Sequence, residues 1–203
     1  MKRIFSMAGF PGVGKTSSLR YVKDRLPNFY ISSDSNLRLL EIQRLHLESP
    51  SPFKYERIQE IFFEIALERI ECLRRFQSSC DGFFLDRGFE DTWLVTEFYA
   101  SKGILDLGNF ERKYYQRIKP FFSHTVFFLD ATFESIESRI SHRFLVEGKS
   151  KRDSGDLFLS DLKGFYKNWY LQNSNCVVIN NENIDALNVA EEILLVVARD
   201  CIT

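Results

Sequence analysis

Short, mostly apolar runs alternate along this chain with longer stretches whose apolar positions recur every three or four residues. The short runs cover 3–8, 29–32, 82–86, 125–130 and 176–180, and each predicts a strand. The periodic stretches predict helices. One spans 15–26 and is stopped by Pro27. One spans 37–47, with Leu37, Leu40 and Leu47 in helical spacing, and ends before Pro50 and Pro52. A long one spans 53–77, with Ile58, Phe62, Ile65, Leu67, Ile70 and Leu73 apolar. Further helices are predicted over 93–100 and 110–118, split by a turn at 103–108, and over 133–144, 157–171 and 184–199. The polar stretch 146–155 predicts a loop.

Strands that are apolar throughout, separated by helices, belong in a parallel sheet covered on both faces. The fold expected is α/β: a five-stranded parallel sheet with helices on both faces, in one domain over 1–203. The sequence Phe-Phe-Leu-Asp occurs at 83–86 and again at 127–130, with unrelated flanks. It marks two similar central strands, not an internal repeat. The 20 Phe are read mainly as core. No basic residues interleave the Phe pairs, which argues against a base-stacking surface.

Composition narrows the picture further. With 203 residues there is room for one domain, since a domain takes about 150. A net charge of -1 argues against a nucleic-acid partner, so an anionic ligand must be held by a local cluster of charge. Cys72, Cys80, Cys176 and Cys201 have no CxxC spacing and read as reduced thiols of a cytoplasmic protein. The basic start at Lys2 and Arg3 is followed by Gly9, Pro11 and Gly12, which break any signal-like apolar run. No run reaches the length of a membrane span.

The strongest chemistry lies at Gly9-Phe10-Pro11-Gly12-Val13-Gly14-Lys15-Thr16, which matches G-x-x-x-x-G-K-[ST] at every fixed position. Glycines let the backbone curl so that successive amides face an anion, and the following helix adds its N-terminal partial charge. Gly9, Gly12, Val13, Gly14, Lys15, Thr16 and Ser17 are the expected nucleotide contacts. Lys15 reaches the β- and γ-phosphates and Thr16 offers its hydroxyl to Mg²⁺. The expected cofactors are therefore ATP and Mg²⁺. No Asn-Lys-x-Asp loop for guanine exists, the chain is too short for a two-core helicase, and no Ser-Gly-Gly signature appears. A small-molecule kinase fits the remaining space.

Three further stretches, in order, resemble the nucleoside and nucleotide kinases, the group of deoxynucleoside kinases and thymidylate kinase. Phe83-Phe84-Leu85-Asp86-Arg87 resembles the acidic-Arg pair that ends their third strand. Phe128 to Glu134, followed by Arg139 and Arg143, resembles their fourth strand, helix and lid arginines. Phe158-Leu159 through Tyr166, Trp169 and Tyr170 resembles the helix after the lid. The resemblance implies an ATP-dependent phosphotransferase acting on a nucleoside or nucleoside monophosphate. It also implies a short lid over about 139–155.

The residues support the same assignment. Asp86 at a strand end can hold Mg²⁺, and the Arg87 guanidinium matches the acceptor or its phosphate. Arg139 and Arg143, four apart on one helix face, form a basic cluster with Lys149, Lys151 and Arg152 that a closing lid would need. The alternative for each is a structural ion pair or a solvated helix end. Asp34, nineteen residues after Lys15, is placed to accept or orient the acceptor's proton, and serves equally well as a helix N-cap. Deoxynucleoside kinases carry Glu-Pro at about that point, whereas shikimate-type kinases carry Asp. Glu64, Arg69 and Trp93 are candidate acceptor contacts, each with a core or surface alternative. The resemblance implies that the loop Asn180-Asn181-Glu182-Asn183, after the fifth strand, passes near the adenine, with Asn181 as the expected contact. Two other classes stay open: a shikimate-type kinase, and a nucleotide-binding interaction protein without phosphotransfer. The partners expected are a small-molecule acceptor, no nucleic acid and no membrane, with a homodimer as one admissible assembly.

Overall fold

Five strands form one sheet in the order β2-β3-β1-β4-β5, where β1 is Ile4–Ala8, β2 Phe29–Ser32, β3 Gly82–Asp86, β4 Thr125–Asp130 and β5 Cys176–Asn180. The computed structural model describes residues 2–32, 39–46, 51–147, 159–182 and 184–202. The pairs β2–β3, β1–β4 and β4–β5 are parallel. Every residue of β1 and β3 is buried, whereas the edge strands β2 and β5 are only partly covered. Central strands of a parallel sheet are covered on both faces, which is why they read as unbroken apolar runs.

The helices are α1 (Lys15–Arg25), α2 (Leu39–His46), α3 (Pro52–Phe76), α4 (Phe89–Ser101), α5 (Leu107–Phe110), α6 (Gln116–Ile118), α7 (Phe133–Glu147), α8 (Leu159–Asn173) and α9 (Ala186–Ile202). Local chemistry sets several of their ends. Pro27 disfavours helix at the residue before it, and α1 stops at Arg25. Ser51 caps α3, its hydroxyl accepting from the Lys54 amide at 3.2 Å, and Pro52 occupies the first turn. α4 starts at Phe89, four residues before the periodicity suggests. Glu90 and Asp91 in its first turn complement the helix's N-terminal charge, an effect that apolar periodicity does not register. Over 110–118 the single helix expected is replaced by α5, a π-helical turn at Glu111–Tyr115, α6 and a 3-10 turn at Lys119–Phe121. Phe110, Tyr114, Ile118 and Phe121 are all buried, so one apolar face persists through the changes of pitch.

The chain forms two compact units, one of Met1–Ile4 with Asn28–His124 and the other of Phe5–Pro27 with Thr125–Thr203. In the first, Phe63 stacks on Tyr114 with centroids 4.5 Å apart, and Trp93 lies 4.3 Å from Tyr115. Ile42 of α2 packs on Ile58, Ile61 and Ile65 of α3. In the second, Phe5 stacks on Phe127, Phe128 meets Tyr170, and α1 packs along α9. The Thr125 hydroxyl donates to Asp200 at 2.9 Å, tying β4 to the end of α9. Among the described residues no helix is long and apolar enough to cross a membrane. The four cysteines are free thiols.

Candidate functional site

The glycine-rich loop leaves β1 with left-handed backbone at Gly9, Gly12 and Gly14, where φ is 130°, 88° and 102°. Gly9 is required on space as well: a Cβ there would lie 2.5 Å from the Leu129 carbonyl oxygen. The Val13 amide donates back to the Phe10 carbonyl at 3.2 Å, and the Ser17 and Ser18 amides both donate to Gly14 at 3.1 Å. Gly14 is therefore the N-cap of α1, and having no side chain it places no capping oxygen over the first amides. Lys15 is buried, its ammonium donating to the carbonyls of Gly9 at 2.7 Å and Phe10 at 3.1 Å. Its charge is thus folded against the loop, where a phosphate's oxygens would compete for the same donors. Thr16 is exposed on the first turn and Ser17 is half-buried.

The loop is held from behind by the turn that follows β5. Asn181 is buried and its side-chain amide donates to the Val13 carbonyl. Arg139 of α7 donates to the same carbonyl at 3.3 Å, to Asn181 O at 2.6 Å and to Glu182 O at 3.2 Å. The Glu182 carboxylate accepts from the Thr132 amide at 2.7 Å, from the Thr132 hydroxyl at 2.8 Å and from the Ser135 hydroxyl. These bonds, chiefly the one from Ser135, with Arg139 as a lesser contributor, hold the Glu182 carboxyl down at about 2. A lowered value means that its contribution to stability is complete above its ordinary 4.5 and is lost as the pH falls through about 2. An NMR titration of the Glu182 side chain is expected to show no midpoint near 4.5. A normal midpoint there would refute the bonded carboxylate.

In the other unit, Asp86 is buried at the end of β3, and Arg87 follows with φ 65°, a left-handed conformation rare outside glycine. Arg69 of α3 organises this bend. Its guanidinium donates to the Ser32 hydroxyl at 3.2 Å, to Asp86 O at 3.4 Å and to Arg87 O at 2.9 Å, and it lies 5.3 Å from the Phe89 ring centroid. Arg87 itself reaches the Asp91 carboxylate at 3.9 Å. Arg69→Met keeps the apolar stem and removes all three bonds, so it should destabilise the protein by about 1–3 kcal/mol. A urea midpoint equal to wild type would show that these bonds carry no net stability.

The remaining candidates separate. Glu64 lies 3.8 Å from Arg57. Trp93 is buried in the aromatic cluster, with its indole N–H donating to Glu97 at 2.6 Å. Asp34, Lys149, Lys151 and Arg152 lie outside the described residues. Arg143 lies on α7, with its side chain likewise outside them, and of the expected lid the described part is helical to Glu147. Among the described residues no group of three or more His, Cys, Asp and Glu is arranged to hold a metal. The sequence placed Glu182 in the loop after the fifth strand, but it signalled none of the bonds that join Glu182 to Thr132 and Ser135. Their partners lie about fifty residues apart along the chain, and no short motif joins them.

The fold is that of the P-loop nucleoside and nucleotide kinases. A solved structure of deoxyadenosine kinase from M. mycoides, with the products dCMP and a flexible dCDP bound, superimposes with a TM-score of 0.73. It is 15% identical, and the match covers 97% of this chain and 99% of that one. The same enzyme with bound dATP gives a TM-score of 0.70 at 13% identity, covering 96% of this chain and 99% of that one. Thymidylate kinase from Candida albicans gives 0.68 at 14% identity, covering 98% and 92%. No family model and no curated protein matches this sequence.

Proposed function

We propose that this protein is a kinase that transfers the γ-phosphoryl group of ATP to a nucleoside or nucleoside monophosphate. One kinase domain over 1–203, with a lid at about 139–155 and a cytoplasmic location, completes the reading. The observation that carries it is the loop from Gly9 to Thr16. Its three left-handed glycines, uncapped α1 and buried Lys15 form an anion-binding cradle on a nucleotide-kinase fold. Lys15 neutralises charge on the transferring group, and the α1 amides bind phosphate oxygens. Thr16 and Asp86 offer the hard oxygen ligands that suit Mg²⁺, which when bound shields phosphate charge. Arg87 binds the acceptor, and Arg139 and Arg143 serve the lid. Asp34 orients the acceptor hydroxyl. A carboxylate there would repel a monophosphate dianion, which favours the nucleoside.

A product screen tests this. Purified protein with Mg²⁺ and ATP is offered nucleosides, nucleoside monophosphates and shikimate-like acids, and products are separated by chromatography. Phosphorylation of at least one nucleoside or monophosphate is expected. Product only from the acid would reassign the acceptor. A nucleotide-dependent thermal shift with no product from any acceptor would reject phosphotransfer in favour of a binding module.

A further inference from the structure

The buried Asn181 side chain faces a backbone carbonyl of the phosphate loop, and that contact has a directional consequence. The described residues contain no cis peptide, so the Val13–Gly14 peptide is trans, with its C=O and N–H pointing in opposite directions. The C=O is held by two donors, the Asn181 amide and the Arg139 guanidinium. Fixing the carbonyl therefore aims the Gly14 N–H away from Asn181, at the point where the loop turns into α1. Gly14 has no Cβ to resist rotation, and one added there would lie 2.9 Å from the Asn181 amide nitrogen. The clamp is itself anchored: Arg139 binds the Asn181 and Glu182 carbonyls, and the Glu182 carboxylate grips Thr132 and Ser135 at the start of α7.

We propose that Asn181 is a positioning residue for the phosphate loop, acting through the Val13 carbonyl to preset the Gly14 amide for phosphate, and not a contact to the nucleobase. This rests on the ATP-donor reading above. A nucleobase contact would matter only for ligands that carry a base. A loop-positioning contact matters equally for a bare polyphosphate, because both ligands use the same amide.

The test measures binding of Mg²⁺-ATP and of inorganic tripolyphosphate by calorimetry, in wild type, Asn181→Ala and Asn181→Leu. Asn181→Leu keeps the branched side-chain shape while removing the donor and adding no charge, so it keeps the test open should the alanine variant fail to fold. Both ligands are expected to weaken by the same factor, about fivefold to tenfold, as one lost hydrogen bond implies. In turnover, KM for ATP rises while KM for the acceptor stays near wild type. Loss of ATP affinity with unchanged tripolyphosphate affinity would overturn the proposal in favour of base recognition. Unchanged binding of both ligands would overturn it outright. Wild-type protein that binds neither ligand would overturn the donor reading itself, and the positioning role with it.

Discussion

Lys15→Met is expected to lower kcat by roughly 10²–10³ while the protein stays folded. The ammonium sits on two loop carbonyls, at Gly9 and Phe10, in the resting arrangement. Methionine fills a similar stem volume and removes only the charge and its donors. In the proposed transfer, negative charge builds on the bridging and leaving-group oxygens as the bond between the β- and γ-phosphates breaks, and the ground state lacks this charge, so the loss would fall on turnover more than on the fold. Steady-state kinetics with any accepted substrate, alongside a thermal melt, separates the two effects. A folded Lys15→Met protein with wild-type turnover would remove the loop from the chemistry.

The second large effect is on stability, and it sets two glycines against each other. Gly9→Ala places a methyl group 2.5 Å from the backbone oxygen of Leu129 and forces alanine to φ 130°. Neither can relax cheaply, because the obstacle is the β4 backbone and not a flexible side chain. Steric overlap and backbone strain each cost about 1–3 kcal/mol, so a loss of about 2–6 kcal/mol is expected. Gly164→Ala is the counter-case. It lies within α8, exposed, with nothing within 4 Å of an added Cβ, and should stabilise by roughly 1 kcal/mol. Urea midpoints measure both. Equal shifts in the same direction would contradict the geometry at one of the two positions.

The loop and its strand were legible because their chemistry is local: eight consecutive residues supply the glycines, the lysine and the hydroxyl. The central strands β1, β3 and β4 were legible because burial on both faces leaves few polar positions, and the partly covered edge strands β2 and β5 because they are still short, mostly apolar runs. Arg69 was singled out as a substrate contact, and its hydrogen bonds tie β2 to the turn after β3. Two of those bonds go to main-chain carbonyls, which every residue carries, so the sequence could not signal them. The same holds for Asn181, whose acceptor lies 168 residues away. The long-range partners of a backbone oxygen leave no motif. The early start of α4 escaped for another reason: charge at a helix N-terminus stabilises a turn that apolar periodicity counts as loop.

The pairing of Val13 with Asn181 also fixes an order of events during synthesis. The phosphate loop is synthesised first, and the residue that clamps it follows 168 positions later. At roughly 5–20 residues per second, the interval is on the order of 10–30 s. Throughout it the loop lacks the clamp, and α1 lacks the α9 surface on which it packs. On the proposed ATP-donor reading, nucleotide would meet the clamped loop only after Asn181 has been made, so its full stabilising effect would come late in synthesis.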